Sequence, residues 1–99
     1  MARFDVYRSK DGPVLLLDLQ ADLLDSLPTR VVAPLYPLAE MSWSIDRLNP
    51  RLEVGGLLYV MATQRMAAVE VNEVGPVVTR LSSHSDAITN ATDFLFQGF

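Results

Sequence analysis

His84 is the only histidine of the chain, and it lies among hydroxyls and a carboxylate in Leu81-Ser82-Ser83-His84-Ser85-Asp86. An imidazole beside a serine and an aspartate can support nucleophilic or acid–base catalysis if the groups converge within hydrogen-bond reach. The same residues also suit the start of a helix. Ser83, followed three positions later by Asp86, has the spacing of a capping box with Ser83 as N-cap. Helix-start chemistry accounts for every neighbour of His84, and the segment is read that way.

Asp18, Asp22 and Asp25 form the second grouping. Neighbouring carboxylates can share a proton or bind a cation. Strand alternation, however, turns Asp18 away from its neighbours, and Asp25 has the setting of a turn residue, so structural roles are the better reading. With one histidine and no cysteine, no transition-metal ligand set stands out by its spacing. Gly55-Gly56 lacks the Lys-Ser/Thr that follows a phosphate-gripping loop. Neither a metal nor a cofactor is expected.

The net charge is −4, and the basic residues Arg3, Arg8, Lys10, Arg30, Arg47, Arg51, Arg65 and Arg80 are scattered. Nucleic-acid binders concentrate such residues into a patch, because phosphate contacts dominate affinity. Direct DNA or RNA binding is therefore disfavoured. The absence of cysteine rules out a disulfide framework and is compatible with a reducing compartment. The N-terminal residues lack the apolar stretch of a secretory signal. The longest apolar run, Leu57 to Ala62, is far below the ~20 residues of a membrane span. These features predict a soluble, cytoplasmic protein.

The elements that must position any site are short. Residues 1–99 make one domain. Phe4–Tyr7, Val14–Leu19, Arg30–Leu35, Arg51–Val54, Leu57–Met61, Val69–Asn72 and Pro76–Thr79 read as strands, with turns at Lys10–Pro13, Asp25–Thr29 and Gly75. Pro34 limits its strand to an edge or a bulge, because it cannot donate to a ladder. Gly55-Gly56 supplies the positive φ angles of a two-residue hairpin turn. Residues 36–50 read as loop, with a short strand possible at Met41–Ile45. About seven short strands at this spacing suggest a small barrel over residues 1–81. A helix over 83–97 follows, with Ala87, Ile88, Ala91 and Leu95 as its apolar stripe, and Gly98 stops it ahead of a tail at 98–99.

Two apolar features lie outside this pattern. Leu23 and Leu24 are adjacent, so a strand cannot put both on one face; packing into the core is the expected outcome, with the C-terminal helix or a partner as cover. The chain also closes on Phe94-Leu95-Phe96-Gln97-Gly98-Phe99, an aromatic end that is either tucked in or offered to a partner. Phe94, Leu95 and Phe96 are expected to anchor the helix, leaving the last three residues presented. Hydrophobic residues make up 49% of the chain, more than one small core readily hides, so a homodimer is expected.

Several segments together resemble the CcdB toxins of bacterial toxin–antitoxin pairs. They are Asp18-Leu19-Gln20-Ala21-Asp22-Leu23-Leu24, Arg30-Val31-Val32-Ala33-Pro34-Leu35, Met61-Ala62-Thr63-Gln64-Arg65-Met66-Ala67, Leu81-Ser82-Ser83-His84 and the aromatic-Gln-Gly-aromatic end. The resemblance covers nearly the whole chain in order. It implies a homodimeric SH3-like β-barrel with a C-terminal helix, and a protein that is not an enzyme. CcdB proteins bind the A subunit of DNA gyrase and trap its cleaved-DNA complex. A CcdA antitoxin neutralises them through its disordered C-terminal segment, and operator DNA is contacted only through the antitoxin. Carried over residue by residue, the gyrase contacts fall on Ala21, Leu23, Leu24, Asp93, Gln97, Gly98 and Phe99. Three positions depart from the family: Gln97 replaces a tryptophan, Ala21 a serine and Asp93 an asparagine. Losing a hot-spot tryptophan costs about 2 kcal/mol or more of binding. Two alternatives accompany this reading. One is a toxin of the same fold that binds antitoxin but has lost or retargeted gyrase poisoning. The other is a MazF/Kid-like endoribonuclease on the related fold, which would draw on Arg30, Arg51, Arg80 and His84.

Overall fold

Thr29 to Pro37 forms the longest strand, and the other strands are arranged around it. The computed structural model describes residues 1–10, 12–41 and 44–99. In chain order the elements are β1 (Asp5–Arg8), β2 (Leu15–Asp18), β3 (Thr29–Pro37), β4 (Arg51–Val54), β5 (Leu57–Met61), β6 (Ala67–Glu70), β7 (Val77–Arg80) and α1 (Ser85–Gln97). The strands form one curled antiparallel sheet in the order β4-β5-β3-β2-β1-β7, with β6 also paired to β3. The expected mainly-β architecture of about seven short strands with a C-terminal helix is what the chain adopts. Among the described residues no helix is long and apolar enough to cross a membrane.

β3 is an interior strand, which corrects the edge placement drawn from Pro34. One side pairs with β2, Leu16 opposite Pro34. The other side pairs with β6 over Thr29–Val32 and with β5 over Leu35–Pro37. Pro34 falls in the gap between those two partners, where residues 63–65 make a 3-10 turn. Its carbonyl accepts from Ala62 N–H at 2.9 Å on that side. A strand residue's N–H and C=O point the same way, so the donor that proline lacks would have faced the gap.

The β4–β5 hairpin forms as expected, with Gly55 and Gly56 at φ 60° and 83°. The two later strands are displaced: β6 ends at Glu70, and Val71–Glu73 is a 3-10 turn rather than strand. Residues 38–40 make another such turn. Of the possible strand at Met41–Ile45, Ser42 and Trp43 lie outside the described residues.

The core joins Val6, Leu15, Leu17, Ala33, Leu35, Leu52, Val54, Met61 and Leu81 of the sheet side to Ile88 and Ala91 of α1. Ile88 and Ala91 are one turn apart and share a face, the part of the expected stripe that is buried; Ala87 is exposed. The expected capping box is absent. Ser82–His84 form a 3-10 turn, α1 begins at Ser85, and no side chain caps its first turn. The 3-10 turn continues directly into the helix, so the N-cap position falls on His84 and Ser83 sits one residue too early to fill it. Gly98 does end the helix, at φ 80°, donating its N–H to Phe94 O at 3.0 Å.

Candidate protein-interaction site

Residues 20–29 span most of the connection from β2 to the first residue of β3, and Asp22–Leu24 within them form a single 3-10 turn with no buried residue. The two leucines are therefore not on a strand, and the expected core packing does not occur. Leu23 is 92% exposed and Leu24 47%. Beside them runs the last part of α1. A groove of about 440 Å³ separates the two, lined by Ala21, Leu24, Val31, Met66, Thr92 and Phe96 among others. Thr92 and Phe96 are one helical turn apart, so α1 offers a single edge to the groove.

Of the residues carried over from the family resemblance, the structure brings Ala21 and Leu24 into this groove. Leu23 stands outside it. Asp93, half-buried, and Gln97, exposed, lie next along the helix from Thr92 and Phe96. Gly98 turns the chain off the helix, and Phe99 is 71% exposed beyond it. Phe96 is the residue the sequence placed wrongly. It is 72% exposed and lines the groove rather than anchoring α1. Its position four residues after Thr92, off the Ile88–Ala91 face, is the signal that could have found it.

Beneath the loop lies a group of charges whose convergence the sequence did not reveal. Arg30 and Asp18 are both fully buried. Arg30 Nε donates to Asp18 Oδ2 at 2.9 Å, and one terminal nitrogen lies 2.9 Å from the same oxygen. Asp18 Oδ1 accepts from Gln20 N–H at 3.0 Å. Burial lifts the Asp18 carboxyl above the usual carboxylate range against the pull of Arg30 and the Gln20 amide. Burial works most strongly against charge on Arg30, but its bond to Asp18 and the negative charges of Asp18, Asp25 and Asp22 together outweigh this and raise it, so the guanidinium stays protonated. With both carboxylate oxygens engaged at these distances, the geometry is that of an ion pair. A visible signal existed: Asp18 and Arg30 interrupt two apolar strands, and Asp18 pairs with Val32, which places Arg30 on its diagonal.

The residues an endoribonuclease would draw on have separate settings. Arg30 is engaged by Asp18, Asp25 and Asp22, while Arg51, Arg80 and His84 are exposed on β4, β7 and the turn before α1, Arg80 lying 3.3 Å from Asp5. A buried phenol, Tyr7, is not among the residues that line the groove. Tyr7 donates to Asp5 Oδ2 at 3.2 Å and is pushed up to about 12 by burial, then by the Asp5 charge.

Comparison with known proteins agrees with this architecture. The family model described as CcdB protein matches residues 3–98. A solved structure, an endoribonuclease in complex with its cognate antitoxin from Mycobacterial species, superposes with a TM-score of 0.77 at 14% identity. The match covers 94% of this chain and 91% of that one. At that identity the likeness is one of fold.

Proposed function

This chain belongs to the CcdB family of toxin–antitoxin toxins, and from that premise we propose that it binds the A subunit of DNA gyrase and poisons the topoisomerase, acting by binding rather than by catalysis. The observation that carries the reading is the apposition of Ala21 and Leu24 with Thr92 and Phe96 across one apolar groove, with Leu23 standing free above it. An exposed leucine pair beside an exposed phenylalanine is the kind of anchor cluster on which binding energy concentrates. Phe96 and Phe99 supply aromatic surface on either side of Gln97, where the family has tryptophan. A CcdA-type antitoxin is the neutralising partner, its disordered segment ordering as it binds. The protein acts as a homodimer, for which Leu57 (64% exposed) and Leu58 (47%) on β5 offer further apolar surface.

The test is a supercoiling assay with the host's own gyrase. Full-length protein should inhibit it, and a chain lacking Gln97-Gly98-Phe99 should not, while remaining folded because all three side chains are exposed and only the helix end is lost. If both chains leave supercoiling untouched, gyrase is not the target. Antitoxin binding without inhibition would mark a retargeted toxin, and cleavage of added RNA would transfer the protein to the endoribonucleases.

A further inference from the structure

The turn that carries Leu23 and Leu24 contributes nothing to the core. Exposed apolar side chains do not fix a backbone, since burial elsewhere would lower their free energy. The loop is instead held by polar groups. Gln20, 8% exposed, donates from Nε2 to the carbonyls of Leu24 (3.2 Å) and Thr29 (3.1 Å) and accepts from Val31 N–H at 3.1 Å. It therefore ties the middle of the loop to its far end. Arg30, anchored on Asp18, reaches the loop from beneath: one terminal nitrogen lies 3.2 Å from Asp25 Oδ1. The other donates to Gln20 O at 3.1 Å and lies 3.7 Å from Asp22 Oδ1. Asp22 Oδ1 also accepts Arg3 N–H at 2.8 Å, joining the loop to the N-terminal segment.

We propose that Arg30, together with Gln20, is the positioning group of the interaction surface: it fixes residues 20–29 in the conformation that presents Leu23 and Leu24. The proposal rests on reading that face as the partner-binding surface and adds the device that displays it. An apolar pair would serve the barrel as well as Asp18–Arg30 does, because a buried ion pair contributes little net stability over well-packed hydrophobic residues. What an apolar pair cannot do is bond Asp25 and the Gln20 carbonyl at the same time. The planar fork of arginine does so from two separate nitrogens while Nε holds Asp18, whereas lysine has a single nitrogen to reach all three acceptors.

Residue-by-residue amide hydrogen exchange on the full-length protein tests this, with the variants Asp25→Asn, Asp22→Asn/Asp25→Asn and Arg30→Lys. The two aspartates are 67% and 65% exposed in their side chains, so the barrel tolerates their neutralisation. In the double variant the amides of Leu24, Asp25 and Leu27 should exchange about threefold to tenfold faster, the range expected for half-exposed ion pairs. Those of Leu17 and Val32 should not change. Arg30→Lys should give the larger loosening, and gyrase inhibition should weaken in the same order. Unchanged loop exchange in both the double variant and Arg30→Lys overturns the proposal, as does a loosened loop with undiminished inhibition. If the wild-type protein leaves gyrase untouched, the gyrase reading fails by itself, and the exchange comparison still decides whether Arg30 sets the loop.

Discussion

The barrel interior and the loop over residues 20–29 lie side by side and are held by opposite means. Inside, Val6, Leu17, Leu35 and Ile88 are fully buried and held by apolar contact. In the loop Leu23, Leu24 and Leu27 are exposed, and the fastening is done by the buried Gln20 and, from β3, by the buried Arg30. A core can be apolar because nothing else has to reach it. A binding surface must keep its apolar groups free, so its backbone has to be fixed by bonds that leave them so. If the loop is the proposed binding surface, stability and recognition fall to different residues, and substitutions should separate them.

The largest effect is expected at the junction of the two regions. Arg30→Met leaves the Asp18 carboxylate buried without its partner and should cost about 3–5 kcal/mol of stability. Adding Asp18→Leu should restore most of it in urea unfolding while leaving the loop without its clasp. Next comes the interior: Leu35→Ala should lower stability by about 2–5 kcal/mol, mostly through the cavity it opens. The binding constant of the remaining folded protein should be unaffected.

Alkaline pH has a smaller effect on the same interior. Tyr7 ionises at about 12 in the folded protein against 10.0 for a free phenol. A raised folded-state value means that the contribution is complete below pH 10 and is lost as pH rises towards 12. Chemical denaturation across that window should show a falling midpoint, and Tyr7→Phe should flatten the fall. The smallest change in stability belongs to the surface. Leu23→Ala should leave the unfolding free energy within about 0.5 kcal/mol, yet weaken gyrase inhibition more than any interior substitution that still folds. Equal losses in stability and inhibition would mean that the two regions are not separate.

Much of the interior was legible because it is built from local patterns. Alternation located most strands, Gly55-Gly56 marked its hairpin, and Ile88 and Ala91 marked the buried face of α1. Pro34 misled because a local rule could not show that β3 changes partner beside it. Ser83 and Asp86 had capping-box spacing, but a preceding 3-10 turn delayed the helix. The surface was less legible for the same reason. Leu23 and Leu24 were visible as a misfit to a strand, but their outward placement depends on Arg30 meeting aspartates across twelve and five positions. The family resemblance supplied the candidate residues, while the fold supplied Phe96 and the groove.

Gly98 carries a consequence that is a matter of handedness. Its φ of 80° places it in the left-handed region, and a side chain added there would meet no atom within 4 Å. Space is available, so the cost of L-alanine at this position is entirely one of chirality. A D-residue favours that same φ and restricts the unfolded chain as well. A chain assembled by chemical ligation with D-alanine at position 98 should therefore hold Phe99 in its present direction, whereas its L-alanine mirror partner should swing the aromatic end aside. The two proteins would have identical composition, charge and side-chain volume, and would differ only in where the last ring points.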